Sequence, residues 1–196
     1  MIKIIGGEKK GTLIEVPKDN SVRPTSAIKR DSVFNILNSY FLKKGFNEIF
    51  KDKIIMDIFS GTGALGLEAI SRGAKYCYFI EKNKNCIKIL TNNCKKIAQK
   101  NNYLIINNFF ERVDLNYYNI INYINIVFMD PHYNYIDFEN ILDKLHNSKI
   151  LSNKAILIIE TDCSTNIPKK KYLNNFDIRT FGRTKISFFE FIGKNL

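Results

Sequence analysis

Strand-length apolar runs alternate with helix-patterned stretches through most of the chain, and that alternation limits the fold more than any other feature. The runs fall at 54–59, 76–80, 104–106, 124–129 and 155–159, with helical patterns near 64–72, 83–99, 111–122 and 136–147. In the second pattern Ile87, Leu90, Cys94 and Ile97 recur at spacings of three and four, the mark of one buried stripe. Apolar runs without polar alternation, separated by helices, predict an α/β fold whose parallel sheet is covered on both faces. The last stretch, FDIRTFGRTKISFFEFI, breaks the rhythm. It predicts two strands around a short Gly-containing turn, so the sheet ends in an antiparallel pair.

The N-terminal part has a different pattern. IKII and TLIEV flank GGEKKG, which predicts a β-hairpin. In RPTSAIKRDSVFNILNSYF, Thr25 or Ser26 can cap a helix whose apolar face carries Ile28, Val33, Ile36, Leu37 and Tyr40. The chain therefore divides into a hairpin extension over 1–25 and a main domain over 26–196. Hydrophobic residues make up 45% of it, enough for a sizeable core and against disorder. No apolar run approaches the roughly 18 residues of a membrane helix, and no signal-like stretch opens the chain. A soluble, cytoplasmic protein without membrane partners is expected. Cys77, Cys86, Cys94 and Cys163 form no CxxC pair, so reduced thiols and no metal site are expected.

Thirty Lys and Arg against 19 Asp and Glu leave a formal charge of +11. Such a surplus favours polyanions through counterion release. Basic residues crowd the first thirty positions and the last third of the chain. Lys3, Lys9, Lys10, Arg23, Arg30 and Arg183 are the candidate nucleic-acid contacts.

Gly61, Gly63 and Gly66 match GxGxxG directly after the first core run, and Glu81 lies twenty residues beyond Gly61. Glycines let the backbone approach a ligand, and an acid at the next strand end accepts bonds from ribose hydroxyls. A nicotinamide dinucleotide fits poorly, because Asp57 just before the loop repels a pyrophosphate and no second domain follows for a hydride acceptor. Acid, GTG loop and second acid look like the S-adenosyl-L-methionine (AdoMet) site of Rossmann-like methyltransferases. In that reading Asp57 lies near the methionine end, Phe59, Ser60, Gly61, Thr62 and Gly63 form the loop, Glu81 holds the ribose and Asn108 faces adenine.

IKIIGG with Lys10 and Gly11, RPT at 23–25, RDSVFNIL at 30–37, DIFSGTGALGLEAISRGA at 57–74 and DPHY at 130–133 occur in that order. Over nearly the whole chain this resembles the RsmD family of 16S ribosomal RNA guanine-N2 methyltransferases. The resemblance implies a class I AdoMet-dependent fold, a seven-stranded, mostly parallel sheet with the hairpin extension before it. It implies methyl transfer to the exocyclic N2 of one guanine of 16S rRNA, resembling guanine 966. The small subunit or its assembly intermediate is the implied partner, and the protein is expected to be a monomer. Where the family has Asp-Pro-Pro-Tyr or Phe, this chain has His132 in place of the second proline. Asn108 stands where many relatives carry Asp.

An exocyclic amino nitrogen is a poor nucleophile, because its lone pair is delocalised into the ring. Two acceptors aimed at its hydrogens favour the tetrahedral geometry that attacks a methyl group. The Asp130 carboxylate is one acceptor, and the Pro131 carbonyl is the other, since proline fixes its own φ. Tyr133 can stack on a base flipped out of its helix. His132 replaces a rigid proline and is not needed as a base. Three other readings remain: a silent RNA-binding assembly factor on the same fold, an adenine-N6 or cytosine-N4 DNA methyltransferase, and an NAD-binding oxidoreductase.

Overall fold

The computed structural model describes residues 1–17, 26–120, 124–131, 135 and 137–193. In chain order, β1 (Ile2–Lys3) and β2 (Leu13–Ile14) form an antiparallel pair, and α1 (Ala27–Lys43) follows. The core then runs β3 (Ile54–Ile58), α2 (Ala64–Ser71), β4 (Tyr76–Ile80), α3 (Lys84–Ile97), β5 (Tyr103–Ile106) and β6 (Ile124–Met129). It ends with α4 (Phe138–Asn147), β7 (Leu151–Asp162), β8 (Leu173–Phe181) and β9 (Thr184–Phe191). The sheet order is β5-β4-β3-β6-β7-β9-β8, parallel from β5 through β7 and antiparallel across β7, β9 and β8. This is the class I methyltransferase topology the sequence predicts.

Alternation along the strands splits the core in two. Ile55, Phe79, Phe128 and Ile158 face α1, α2 and α3, while Met56, Ile80, Val127 and Leu157 face α4 and the 110–120 segment. Ser26 caps α1, its side chain accepting from the Lys29 N–H at 3.3 Å. The buried side of α1 is Arg30, Val33, Phe34, Leu37 and Phe41. Ile28, expected on the apolar face, is 74% exposed, because the helix turns its Phe34 side to Phe50 and Phe128 instead. On α3, Cys86 rather than Ile87 joins Leu90, Cys94 and Ile97 in the buried stripe.

Over 111–120, the described part of the helix expected at 111–122, no α-helix forms. A single 3-10 turn, Phe110–Arg112, gives way to irregular turns. The Asp114 carboxylate accepts from the N–H groups of Asn116 and Tyr117, and Asn119 takes a left-handed φ of 49°. Asp and Asn side chains compete with helical hydrogen bonding in this way. The Lys144 ammonium, from α4, donates to the carbonyls of Phe110, Glu111 and Val113 and fixes the irregular path.

The hairpin is fastened to the main sheet layer through α2. Glu68, fully buried, accepts from the N–H groups of Ile5 and Gly6 at 2.7 Å each and from Arg72 Nε at 2.8 Å. Ser71 donates to the Gly6 carbonyl and accepts from the Lys9 N–H. Gly7 has φ 78°, and a Cβ there would lie 1.8 Å from the Ser71 carbonyl oxygen, so only glycine fits. Ile4 and Ile14 are buried in the same cluster as Phe34.

Candidate active site

The chain reverses direction across the sheet between β3 and β6. In open α/β sheets the crevice beyond the carboxyl ends at such a switch point is where ligands bind. The register sets Asp57 beside Phe128 and Ile58 beside Met129, so Phe59 and Asp130 leave the sheet side by side. Glu81 follows the end of β4, Asn108 lies two residues past β5, and Asp130 and Pro131 directly follow β6. The structure thus brings together Asp57, Phe59, Ser60, Gly61, Thr62, Gly63, Glu81, Asn108, Asp130 and Pro131 at one edge.

The loop after β3 is built on left-handed backbone: Phe59 at φ 66°, Gly61 at 53° and Gly63 at 84°. Ser60 N–H donates to the Ile80 carbonyl, and Gly63 N–H to the Ser60 carbonyl at 2.7 Å. Glu81 braces the loop from β4, accepting from the N–H groups of Gly61 at 2.8 Å and Asn83 at 2.7 Å. Each carboxylate oxygen keeps a further lone pair for a ligand hydroxyl. Asp57 is buried and accepts from the Gly66 N–H at 2.9 Å. Burial pushes its carboxyl up to about 8; the Gly66 bond opposes this, and the charges of Asp130 and Glu81 add to it. Gly66 fits because the helix crosses the sheet closely there, a Cβ lying 2.3 Å from Phe79 Cε1.

Two residues not singled out from the sequence tie this edge together. Asn93 of α3 is fully buried. Its Oδ1 accepts from the Glu15 N–H, and its Nδ2 donates to the carbonyls of Glu15 and Thr62. The segment leaving β2 is thereby linked to the glycine loop. A polar residue three positions beyond Leu90, on a buried stripe, was the readable signal. Tyr135 packs its ring 4.9 Å from Phe59, and its hydroxyl donates to Glu111 at 2.5 Å, bridging the loops after β3 and β6. Burial and then Glu111 hold that hydroxyl well above the usual tyrosine range.

The candidate RNA contacts are scattered. Arg30 is a correction: its guanidinium is fully buried and donates to the Lys3 carbonyl at 3.0 Å, so it is a packing residue and not a surface contact. Lys9 and Lys10 occupy the hairpin tip against Ser71, at the end of α2 remote from the glycine loop and about 12 Å from it along the helix. They are remote from the glycine loop and from Asp130. Lys3 is exposed on β1. Arg183, its side chain 94% exposed, occupies the β8–β9 turn at the carboxyl edge, 3.9 Å from Asp162. Arg23, His132 and Tyr133 lie outside the described residues.

Three carboxylates, Asp57, Glu81 and Asp130, lie close enough for the charges of Asp130 and Glu81 to act on Asp57. Such a site suits a ligand carrying positive charge and repels a pyrophosphate. A cationic sulfonium cofactor with an α-amino group fits this donor set.

The family model described as conserved hypothetical protein 95 matches residues 2–190. The Ribosomal RNA small subunit methyltransferase D of Escherichia coli (strain K12) is 28% identical over 170 residues, covering 85% of this chain and 78% of its own length. The protein of the same name from Haemophilus influenzae is 26% identical over 161 residues, covering 82% of this chain and 79% of its own. The solved structure of yhhF from Escherichia coli superposes with a TM-score of 0.79 at 24% identity, covering 97% of this chain and 98% of that one. An RNA methyltransferase from Salinibacter ruber, solved with S-adenosyl-L-homocysteine, superposes at 0.63 with 11% identity over 88% of this chain and 95% of its own. A family match spanning almost every residue agrees with the fold and with the ordered motifs, and the chain belongs to the RsmD methyltransferase family.

Proposed function

We propose that this protein transfers a methyl group from AdoMet to the exocyclic N2 of a guanine in 16S ribosomal RNA, the guanine numbered 966 in the family. The observation that carries the reading is that β3 and β6 pair up to Ile58 and Met129, so that Phe59 and Asp130 are the next residues out of neighbouring strands. It sets the DP motif beside the glycine loop. The naming of the curated relatives as small-subunit rRNA methyltransferases supplies the substrate class.

AdoMet supplies an electrophilic methyl group on a good leaving group. Gly61 and Gly63 admit it close to the backbone, Glu81 accepts from its ribose hydroxyls and Asn108 meets its adenine edge. Asp57, beside the cationic methionine end, gives up its proton more readily than in the empty loop. Asp130 accepts one hydrogen of the guanine amino group and the Pro131 carbonyl the other, drawing the nitrogen toward tetrahedral geometry. Tyr133 stacks on the flipped base. Positioning and electrostatic stabilisation provide the acceleration, and no general base is needed before attack.

The test is methylation of 30S subunits, naked 16S rRNA and duplex DNA with labelled AdoMet, followed by mapping of N2-methylguanine. Label on rRNA guanine N2 is the expected result, and Asp130→Ala abolishes it while AdoMet still binds. Label on DNA alone would overturn the reading. So would a parent protein that binds no AdoMet and an Asp130→Ala variant that keeps full cellular function, the behaviour of a silent assembly factor.

A further inference from the structure

On the side of Asp130 away from the glycine loop, the carboxyl edge carries an ion pair almost out of water. The pairing of β6 with β7 reaches Met129 and Ile159, so Asp130 and Glu160 come next on neighbouring strands, about 4.8 Å apart. Glu160 lies two residues beyond Ile158, on the face covered by α1, as Asp130 lies two beyond Phe128. There the Lys29 ammonium, from the first turn of α1, donates to Glu160 Oε1 at 2.5 Å and to Thr184 Oγ1 at 2.9 Å. The side chains of Lys29 and Glu160 are only 13% and 11% exposed. Thr184 belongs to β9, the strand beyond β7, so Lys29 stands on the far side of Glu160 from Asp130.

Fold stability does not account for this pair. Taking two charges out of water costs about as much as their attraction offsets, and apolar residues of similar size would hold the sheet as well. The groups instead form a row along the edge: the Asp130 carboxylate, the Glu160 carboxylate, then the Lys29 ammonium. The Watson–Crick edge of guanine carries the complementary row, with donors at the N2 amino group and N1–H and then an acceptor at O6. With N2 at Asp130, N1–H meets Glu160 and O6 meets Lys29. A carboxylate offers about four acceptor positions, so Glu160 can serve Lys29 and N1–H together. An ammonium has three donors, enough for Glu160, Thr184 and O6. Adenine matches none of this. It has no amino group at C2, a bare lone pair at N1 and a donor where guanine has O6. A base flipped out of its helix exposes this edge for reading.

We propose that Glu160 and Lys29 select guanine as the target base, Glu160 by accepting from its N1–H and Lys29 by donating to its O6. The inference rests on the guanine-N2 reading above and deepens it.

The experiment uses 16S rRNA, free or reassembled into 30S subunits, with guanine or 2,6-diaminopurine at the methylated position. The analogue keeps the N2 amino group but has a bare N1 and an amino group at C6. The parent should methylate guanine about 10³ times more efficiently in kcat/KM, because the analogue sets a lone pair against a buried carboxylate. Glu160→Gln should narrow that preference to about tenfold, since its carboxamide can donate to the bare N1. Glu160→Asp, which keeps the charge, should keep the preference at a lower rate. Lys29→Met removes the donor to O6 and should slow methylation of guanine more than of the analogue. AdoMet affinity should stay at the parent value in all three. Equal efficiency of the parent on the two bases overturns the proposal without any variant. So does Glu160→Gln that slows both bases by the same factor, the mark of a purely structural ion pair. Lost AdoMet affinity in Glu160→Gln overturns it too, by placing Glu160 on the cofactor. Absence of N2-methylguanine from rRNA treated with the parent overturns the function above and this inference together. N2-methylguanine with a base preference unchanged in Glu160→Gln overturns this inference alone.

Discussion

Asp57 is the residue whose chemistry the fold alters most. Its carboxyl is pushed up to about 8 from 3.8, so the folded chain holds a proton that the unfolded chain releases above about pH 4. Stability from this group is full below pH 3.8, is lost as the pH rises, and levels off above about pH 8. Asp57→Asn keeps an acceptor for the Gly66 N–H and removes the titration. Its melting temperature should exceed the parent's by a margin that opens from about pH 4 and is widest at and above about pH 8. A variant that tracks the parent across this range would remove the buried-carboxyl account. The same linkage acts on cofactor binding. A cationic ligand favours ionised Asp57, so AdoMet binding at pH 7 should release protons. Calorimetry in buffers of different ionisation enthalpy reads that release directly. Gly66 tests the opposite property, space. An alanine Cβ there meets Phe79 Cε1 at 2.3 Å and Cys77 Sγ at 2.7 Å, both on fully buried side chains. Overpacking of this kind costs about 1–3 kcal/mol, and a thermal melt of Gly66→Ala should fall by several degrees.

At the scale of elements, α2 does two jobs. Its N-terminus carries the glycine loop, and its C-terminal half holds the hairpin through Glu68 and Ser71. Removing a buried, hydrogen-bonded charge costs about 3–5 kcal/mol. Glu68→Ala should therefore destabilise the chain by that order, and amide exchange at Ile5 and Gly6 should rise before the sheet amides respond. Equal exchange at all sites would mean that the hairpin and sheet open together. The sheet itself was readable from the sequence, because five apolar runs that each stop at a polar residue, Ser60, Glu81, Asn107, Asp130 and Glu160, leave few alternatives. The glycine loop and its two acids were readable for the same reason: the spacing of Asp57, Gly61, Gly63 and Glu81 carries the geometry. Other features depend on partners distant in sequence. Glu68 looked like one more residue of a helix, although an acid inside GLEAIS was a signal of a buried partner. Arg30 looked like a surface cation, and only the packing of α1 against the hairpin reveals its burial. Apolar spacing alone predicts a helix over 111–122, but over 111–120 Asp114, Asn116 and Asn119 favour turns over helical hydrogen bonding.

At the scale of the whole molecule, the surplus charge has two opposite places to act. The carboxyl edge holds the candidate site, and β7 runs three residues beyond the end of its pairing with β6, which closes at Met129 and Ile159. The β8–β9 turn with Arg183 is carried past the sheet edge with it, by about 10 Å, on the side where substrate must approach. The hairpin tip with Lys9 and Lys10 lies at the other end of α2. An RNA that enters the site meets Arg183 without reaching Lys10, unless it wraps around the molecule. Arg183→Glu should weaken binding of the 16S rRNA transcript and lower its salt slope by about one or more. Lys10→Glu should leave the slope near the parent value. Both positions are exposed and the variants should melt like the parent, so a difference in slope reads contact with RNA and not folding. If Lys10→Glu lowers the slope as much as Arg183→Glu, RNA spans both edges of the sheet. The hairpin would then be a second anchoring arm for the substrate, remote from the base being methylated.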